Sequence, residues 1–191
     1  GCDVGRVHMG LDQYVYWIKK PDYNEERIYN SSEVGCGIII PDDERDDPTV
    51  QAVMPYCRKL KVINKHWNME AISAAFGLSE KAYFYACFNG IAYVQDGSRK
   101  VEVNESDLDG RYTIDRIDDW YVCDTREVMY WRKAYDVQEW FHENLGVVVE
   151  NTGYYLLNTE IIQQFNEAFP ERPLPEDPLD EESALVYYEW Y

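Results

Sequence analysis

The sequence predicts an α+β fold: a mostly antiparallel sheet with one long and one or two shorter helices packed on it. Three observations carry that reading. Apolar residues alternate with period two in several short runs, an Asn-Gly pair separates two of those runs, and two later segments repeat apolar residues at helical spacing. A hydrophobic fraction of 46% gives the 191-residue chain enough apolar surface for one ordinary domain despite its charge.

Along the chain, Leu11 to Ile18 alternates aromatic and branched residues and reads as a strand ended by Lys19-Lys20-Pro21. Residues 21–33 are polar and read as a loop. Gly35 to Ile40 is a short apolar strand stopped by Pro41, and residues 57–67 alternate again. Met69 to Phe76 is a short helix, with Asn68 as its cap and Gly77 as its stop. Tyr83 to Phe88 and Ile91 to Gln95 flank Asn89-Gly90, a pair that accepts the positive φ angles of a tight hairpin turn. Further strands are expected through Val101 and Val103 and within residues 112–123.

The long helix is placed at 125–145 and taken as the central one. Asp124 stands at the cap with Glu127 three positions on, and Val128, Trp131, Tyr135, Gln138 and Phe141 recur at helical spacing. Val147–Val149 and Tyr154–Leu157 read as short strands around a turn at Asn151-Thr152-Gly153. A last helix, capped by Asn158 or Thr159, carries Ile161, Ile162, Phe165 and Phe169 on one face and stops at Pro170. Residues 9–169 are therefore read as one domain. Residues 170–191 are read as an acidic, Pro-rich linker followed by an apolar segment that docks on the domain or on a neighbouring subunit, which points to a homo-oligomer. Residues 1–8 read as a leader or a tag-like segment, with Met9 as a native start or the first eight residues as a cloning remnant.

Charge narrows the partners. Asp and Glu number 36 against 18 Lys and Arg, a net charge of −18. Most of the excess lies in residues 42–47, 102–127 and 171–191. A field of that sign repels phosphate backbones, so direct nucleic-acid binding is not expected. It serves solubility, or it forms a surface that meets a basic protein. No apolar run is long enough to span a bilayer, and the five cysteines are odd in number and widely spaced. Reduced thiols and a host-cell cytoplasmic setting without membrane contact are the expectation.

Chemistry-bearing patterns are few. Three histidines are present, His8, His66 and His142, and no local signature joins one to a nucleophile. His142 near a helix C-terminus suits a structural role. Asp107-Leu108-Asp109-Gly110 hints at a calcium loop, but counting from Glu105 as position one, position twelve is Arg116 where a bidentate Glu is required. Gly35-Cys36-Gly37 begins a strand, so it is no phosphate loop. No cofactor or metal is specified. Two basic-aromatic groups stand out as a site for a small anionic ligand such as a nucleotide. One is Lys59, Lys61, Lys65 and Trp67 on one face of a strand; the other is Trp131, Arg132, Lys133 and Tyr135 on the long helix. The alternative for both is ordinary packing with solvated cations.

Met9-Gly10-Leu11-Asp12, Val128-Met129-Tyr130-Trp131-Arg132-Lys133-Ala134 and Trp140-Phe141-His142-Glu143-Asn144 together resemble a group of small bacteriophage proteins. These begin Met-Gly-Leu-Asp and carry a Tyr-Trp-Arg-Lys-Ala helix ending in Trp-Phe-x-Glu-Asn. A histidine often stands where this chain has Gln138. The resemblance implies a viral accessory protein. The functional expectation is a non-enzymatic protein that neutralises a host factor, plausible targets being a nucleotide signal of host defence or a basic protein surface. The alternative is a small nucleotide-directed hydrolase or transferase.

Overall fold

The computed structural model describes residues 10–23, 26–108, 110–176 and 181–191. Residues 1–8, Met9, Asp109 and the middle of the acidic linker lie outside the described residues, and with them the leader and start-site readings. The fold is α+β with mostly antiparallel sheets. In chain order the elements are β1 (Asp12–Lys19), β2 (Ile28–Asn30), β3 (Ile38–Pro41), β4 (Arg58–Trp67), α1 (Met69–Phe76), β5 (Tyr83–Phe88), β6 (Ile91–Asp96) and β7 (Arg99–Asn104). These are followed by α2 (Glu105–Leu108), β8 (Thr113–Cys123), β9 (Thr125–Arg132), α3 (Tyr135–Asn144), β10 (Tyr154–Leu157), α4 (Thr159–Ala168) and β11 (Ser183–Trp190).

The first sheet has the order β10-β11-β1-β9, all antiparallel. Alternation along β1 sends Gln13, Val15 and Trp17 to one face and Tyr14, Tyr16 and Ile18 to the other. On the first face α3 and α4 close a core of Val15, Trp131, Phe141, Phe165, Leu185 and Tyr187. On the second, Ile18, Ala184 and Val186 meet Ile38, Ile40, Val50 and Val53, so this sheet is buried on both sides over much of its area. The second sheet, β2-β4-β8-β3, is antiparallel except where β2 runs parallel to β4. Its centre is the β4–β8 ribbon, which pairs from Arg58 with Val122 to Trp67 with Thr113. The third sheet is the meander β5-β6-β7, covered by α1 through Ile72, Ala92, Val103 and Leu108.

Local signals act as expected in several places. Asn89 and Gly90 take φ of 53° and 75° in the β5–β6 turn. The Asn68 side chain accepts from the Ala71 amide at 3.2 Å, and Gly77 ends α1 at φ 66°. Asn158 caps α4 by accepting from the Ile161 amide at 2.8 Å. Asn68→Ala is expected to lower the free energy of unfolding by about 1 kcal/mol, read from urea denaturation, because the cap satisfies an otherwise orphaned helix amide.

Three expectations are corrected. The helix expected at 125–145 does not form over its first half: residues 125–132 are β9, paired along β1 from Thr125 with Ile18 to Arg132 with Asp12. Met129 and Trp131 face the helical core while Tyr130 faces the opposite side, a period-two fit that the branched and aromatic residues satisfy as well as the helical one. The chain turns at Lys133, φ 55°, and α3 starts only at Tyr135. Its start is held from another strand. Buried Gln13 donates from Nε2 to the Ala134 carbonyl and accepts the Ala134 amide, both at 3.0 Å. Second, Val147–Val149 pairs with no strand among the described residues, and Val148 is 82% exposed. Third, Cys36 is disulfide-bonded rather than a reduced thiol, whereas Cys57, Cys87 and Cys123 are free.

The C-terminal segment does more than dock. As β11 it lies between β10 and β1 and buries Ala184, Leu185, Val186 and Tyr187, so the domain extends past residue 169 to take it in. The apolar surface that pointed to a homo-oligomer is consumed inside the chain's own sheet.

Candidate functional site

The two basic-aromatic groups fall in different sheets. Lys59, Lys61, Lys65 and Trp67 do share one face of β4, and the three lysines are exposed. Neighbouring aspartates of β8 offset much of the charge. Lys61 lies opposite Asp119 and Lys65 opposite Asp115, and Lys59 Nζ sits 3.5 Å from Asp119 Oδ2. Directly opposed pairs on one face of a ribbon interact, so the positive field an anion would need is spent locally. Trp67 packs on Phe84 at 5.4 Å between ring centroids and belongs to the core under α1.

The second group is divided by burial. Trp131 is 8% exposed and packs against Phe165 at 5.7 Å, inside the core, which removes it as a platform for stacking a base. Arg132, Lys133 and Tyr135 are exposed at the β9–α3 corner, with Arg132 paired in register with Asp12. The helical presentation expected for this group is therefore replaced by a strand end and a turn for Trp131, Arg132 and Lys133, and Tyr135 alone lies on a helix, as the first residue of α3. Tyrosines instead form a row across the first sheet: Tyr154, Tyr188, Tyr14 and Tyr130 stand in register, with neighbouring ring centroids 4.9–6.1 Å apart. The Tyr130 hydroxyl donates to Asp12 at 2.5 Å, which pushes the phenol up to about 12.

A more specific concavity lies elsewhere. A groove of about 600 Å³ separates the turn that follows β3 from one flank of the β4–β8 ribbon. Asp42, Asp43 and Glu44 line one wall; Asp118, Asp119, Arg116 and His66 line the other, with Ile117 and Trp120 as its apolar part. Asp42, Asp43, Glu44 and Asp118 bring carboxylates to it beside one guanidinium, Arg116, while the Asp119 carboxylate is paired with Lys59. The turn is anchored to β8, since Tyr121 donates to Asp42 at 3.3 Å and Arg45 donates to the Tyr121 hydroxyl at 3.0 Å. Pairing the 42–47 acids with those of β8 takes the sheet, because β3 and β4 both pair with β8. The sequence signal was present as two separate acidic runs, but nothing local says that they share a groove.

His66 sits at the far end of this groove with both ring nitrogens engaged. Arg116 lies 2.9 Å from Nδ1 and Asp118 lies 2.6 Å from Nε2. Because a guanidinium can only donate, Nδ1 accepts from Arg116 and Nε2–H donates to Asp118. His142, in the last turn of α3, bonds Glu189 at 2.7 Å, and Glu189 also accepts from the Tyr187 hydroxyl at 2.7 Å. Glu189 and Tyr187 are fully buried, so this network fastens α3 to β11. Among the described residues neither histidine meets a thiol or an aliphatic hydroxyl, and no group of three or more His, Cys, Asp or Glu side chains is placed to hold a metal ion. No helix among them is long and apolar enough to cross a membrane.

Compared with known proteins, the chain matches no family model, no curated protein and no solved structure.

Proposed function

We propose that this chain is a non-enzymatic binding protein whose acidic groove takes up a basic surface of a partner protein. The observation that carries the reading is the groove itself. Its carboxylates come from two anchored walls, and Ile117, 60% exposed, offers apolar contact beside them. A lysine- or arginine-bearing loop fits both properties: charge steers the encounter, and the aliphatic stems cover the apolar floor. A small nucleotide fits less well, because the lysines expected to hold it face aspartates and Trp131 is inside the core. The resemblance to small phage proteins extends the proposal to a viral accessory protein acting in the host-cell cytoplasm on a component of host defence.

The test is titration calorimetry with a lysine/arginine-rich peptide at low and high salt. The wild-type protein is expected to lose about tenfold or more in affinity between 50 and 300 mM salt, as exposed charge pairs become screened. Joint replacement Asp42→Lys, Asp43→Lys and Glu44→Lys is expected to abolish binding while the far-ultraviolet circular dichroism stays native. Binding that ignores both salt and these substitutions would remove the groove from the mechanism.

One observation favours a second reading, a nucleotide-directed hydrolase or transferase: the His66–Asp118 pair opens on the same groove. In its present state the imidazole has no nitrogen left to act as a base, since Arg116 occupies Nδ1. Incubation with a panel of nucleotides separates the two readings. A binder returns every nucleotide intact, and product that disappears in His66→Gln would establish the enzyme.

A further inference from the structure

We propose that Cys57 and Cys123 form a cross-strand disulfide, a thiol-oxidation site whose oxidant is a small-molecule disulfide such as oxidised glutathione. The register places them together. Arg58 pairs with Val122 at the end of the ribbon, so the next step outward sets Cys57 opposite Cys123. Opposed residues of an antiparallel pair have Cα atoms about 4.5–5.5 Å apart, inside the range of about 4.4–6.8 Å that a disulfide accepts. The two sulfurs already lie 2.7 Å apart, so closing a bond of about 2.05 Å moves side chains and leaves the strands in place.

The surroundings suit both redox states. The Val53 carbonyl lies 3.3 Å from Cys57 Sγ and 3.4 Å from Cys123 Sγ, one acceptor for two thiols. When both protons leave, that carbonyl keeps the Tyr56 amide at 2.9 Å, so oxidation orphans no buried backbone group. Cys57 is half-buried and Cys123 fully buried, which assigns the order of events. Cys57 attacks one sulfur of the small disulfide and expels one thiolate, leaving a mixed disulfide. Cys123 then attacks Cys57 Sγ and expels the second. Two protein thiols are oxidised, one small disulfide is reduced to two thiols, and the two protein protons end on those thiols. The hydrogen bond to Cys57, followed by burial, pushes the Cys123 thiol up, in keeping with its acting second. Cys36 is already disulfide-bonded, so oxidised cysteine is compatible with this fold.

The bond would pin the corner at which the second sheet passes into the first. Cys123 ends β8, Thr125 opens β9, and Ile38 of β3 pairs with Cys123 from the other side. The closed loop would contain all of the third sheet. A loop of that length constrains the unfolded chain strongly, and the Tm is expected to rise by about 5–10 °C.

The full-length protein is equilibrated with oxidised or reduced glutathione, its free thiols are alkylated, and tryptic peptides are mapped by mass spectrometry. A peptide pair linked through Cys57 and Cys123 is expected after oxidation, in Cys87→Ser as well as in the wild type. Melting curves under both conditions are compared with those of Cys57→Ala, which is expected to lose the part of the oxidation-dependent Tm shift due to this pair and keep the part due to Cys36. Two free thiols after oxidation, a stable glutathione adduct on Cys57, or an unchanged shift in Cys57→Ala would each overturn the assignment.

Discussion

Ending the chain after Glu176 is expected to abolish cooperative folding. The removed residues include β11, which supplies the neighbour of both β10 and β1. β1 pairs with β11 along its whole length, from Asp12 with Trp190 to Lys19 with Ser183. Without it the first sheet falls into an isolated β10 and a two-stranded remnant. Both cores open at once, since Leu185 and Tyr187 belong to the helical side and Ala184 and Val186 to the other. Exposing Leu185 and Val186 costs about 1.5–3 kcal/mol each, and Tyr187 adds an aromatic ring and two buried hydrogen bonds. Those losses approach the whole stability of an ordinary domain, about 5–15 kcal/mol. Thermal scans followed by near-ultraviolet circular dichroism check the result. A sigmoidal transition with a native near-ultraviolet spectrum would show that β11 is dispensable.

Phe141→Ala is expected to lower the free energy of unfolding by about 3–5 kcal/mol without changing the fold. Phe141 is fully buried, with its ring stacked 4.0 Å from Tyr187 and 5.2 Å from Phe165 between centroids, and Trp140 and Trp131 close the cluster. It therefore joins α3, α4 and β11. Truncation leaves a cavity among groups that cannot collapse, because each is fixed by its own strand or helix. Val148→Ala is the control. That side chain is 82% exposed, and a change within about 0.5 kcal/mol is expected. Urea denaturation of both variants decides the matter, and equal midpoints would disprove the central role of Phe141.

Much of the architecture was legible where the cause is local. The Asn89-Gly90 turn, the Asn68 cap, the Gly77 stop and the Asn158 cap each act on amides within four residues, and so each is written in adjacent letters. Residues 125–132 were illegible for a physical reason. Val128, Met129, Tyr130 and Trp131 satisfy a helical period and a strand period over so short a span, and Asp124 with Glu127 imitates a capping box. The free edge of β1 settles the contest by offering backbone partners along the whole segment. The true start of α3 is held by Gln13, which is 121 residues distant and lies on another strand.

The candidate site shows the same division. Strand alternation was enough to place Lys59, Lys61, Lys65 and Trp67 on one face, but not to reveal Asp119 and Asp115 opposite, because β8 joins β4 only through the ribbon's register. Trp131 reads as an aromatic beside two cations, and only packing shows the ring turned into the core while Arg132 faces water. By itself the sequence determined the α+β class, the acidic character, the hairpin and the ends of α1 and α4, since composition and short-range backbone chemistry require no partner. Tertiary structure decided the identity of β9, the central place of β11, the joining of two acidic runs into one groove and the meeting of Cys57 with Cys123. Each of these depends on which strands pair and in what register, a choice made by burial over the whole chain.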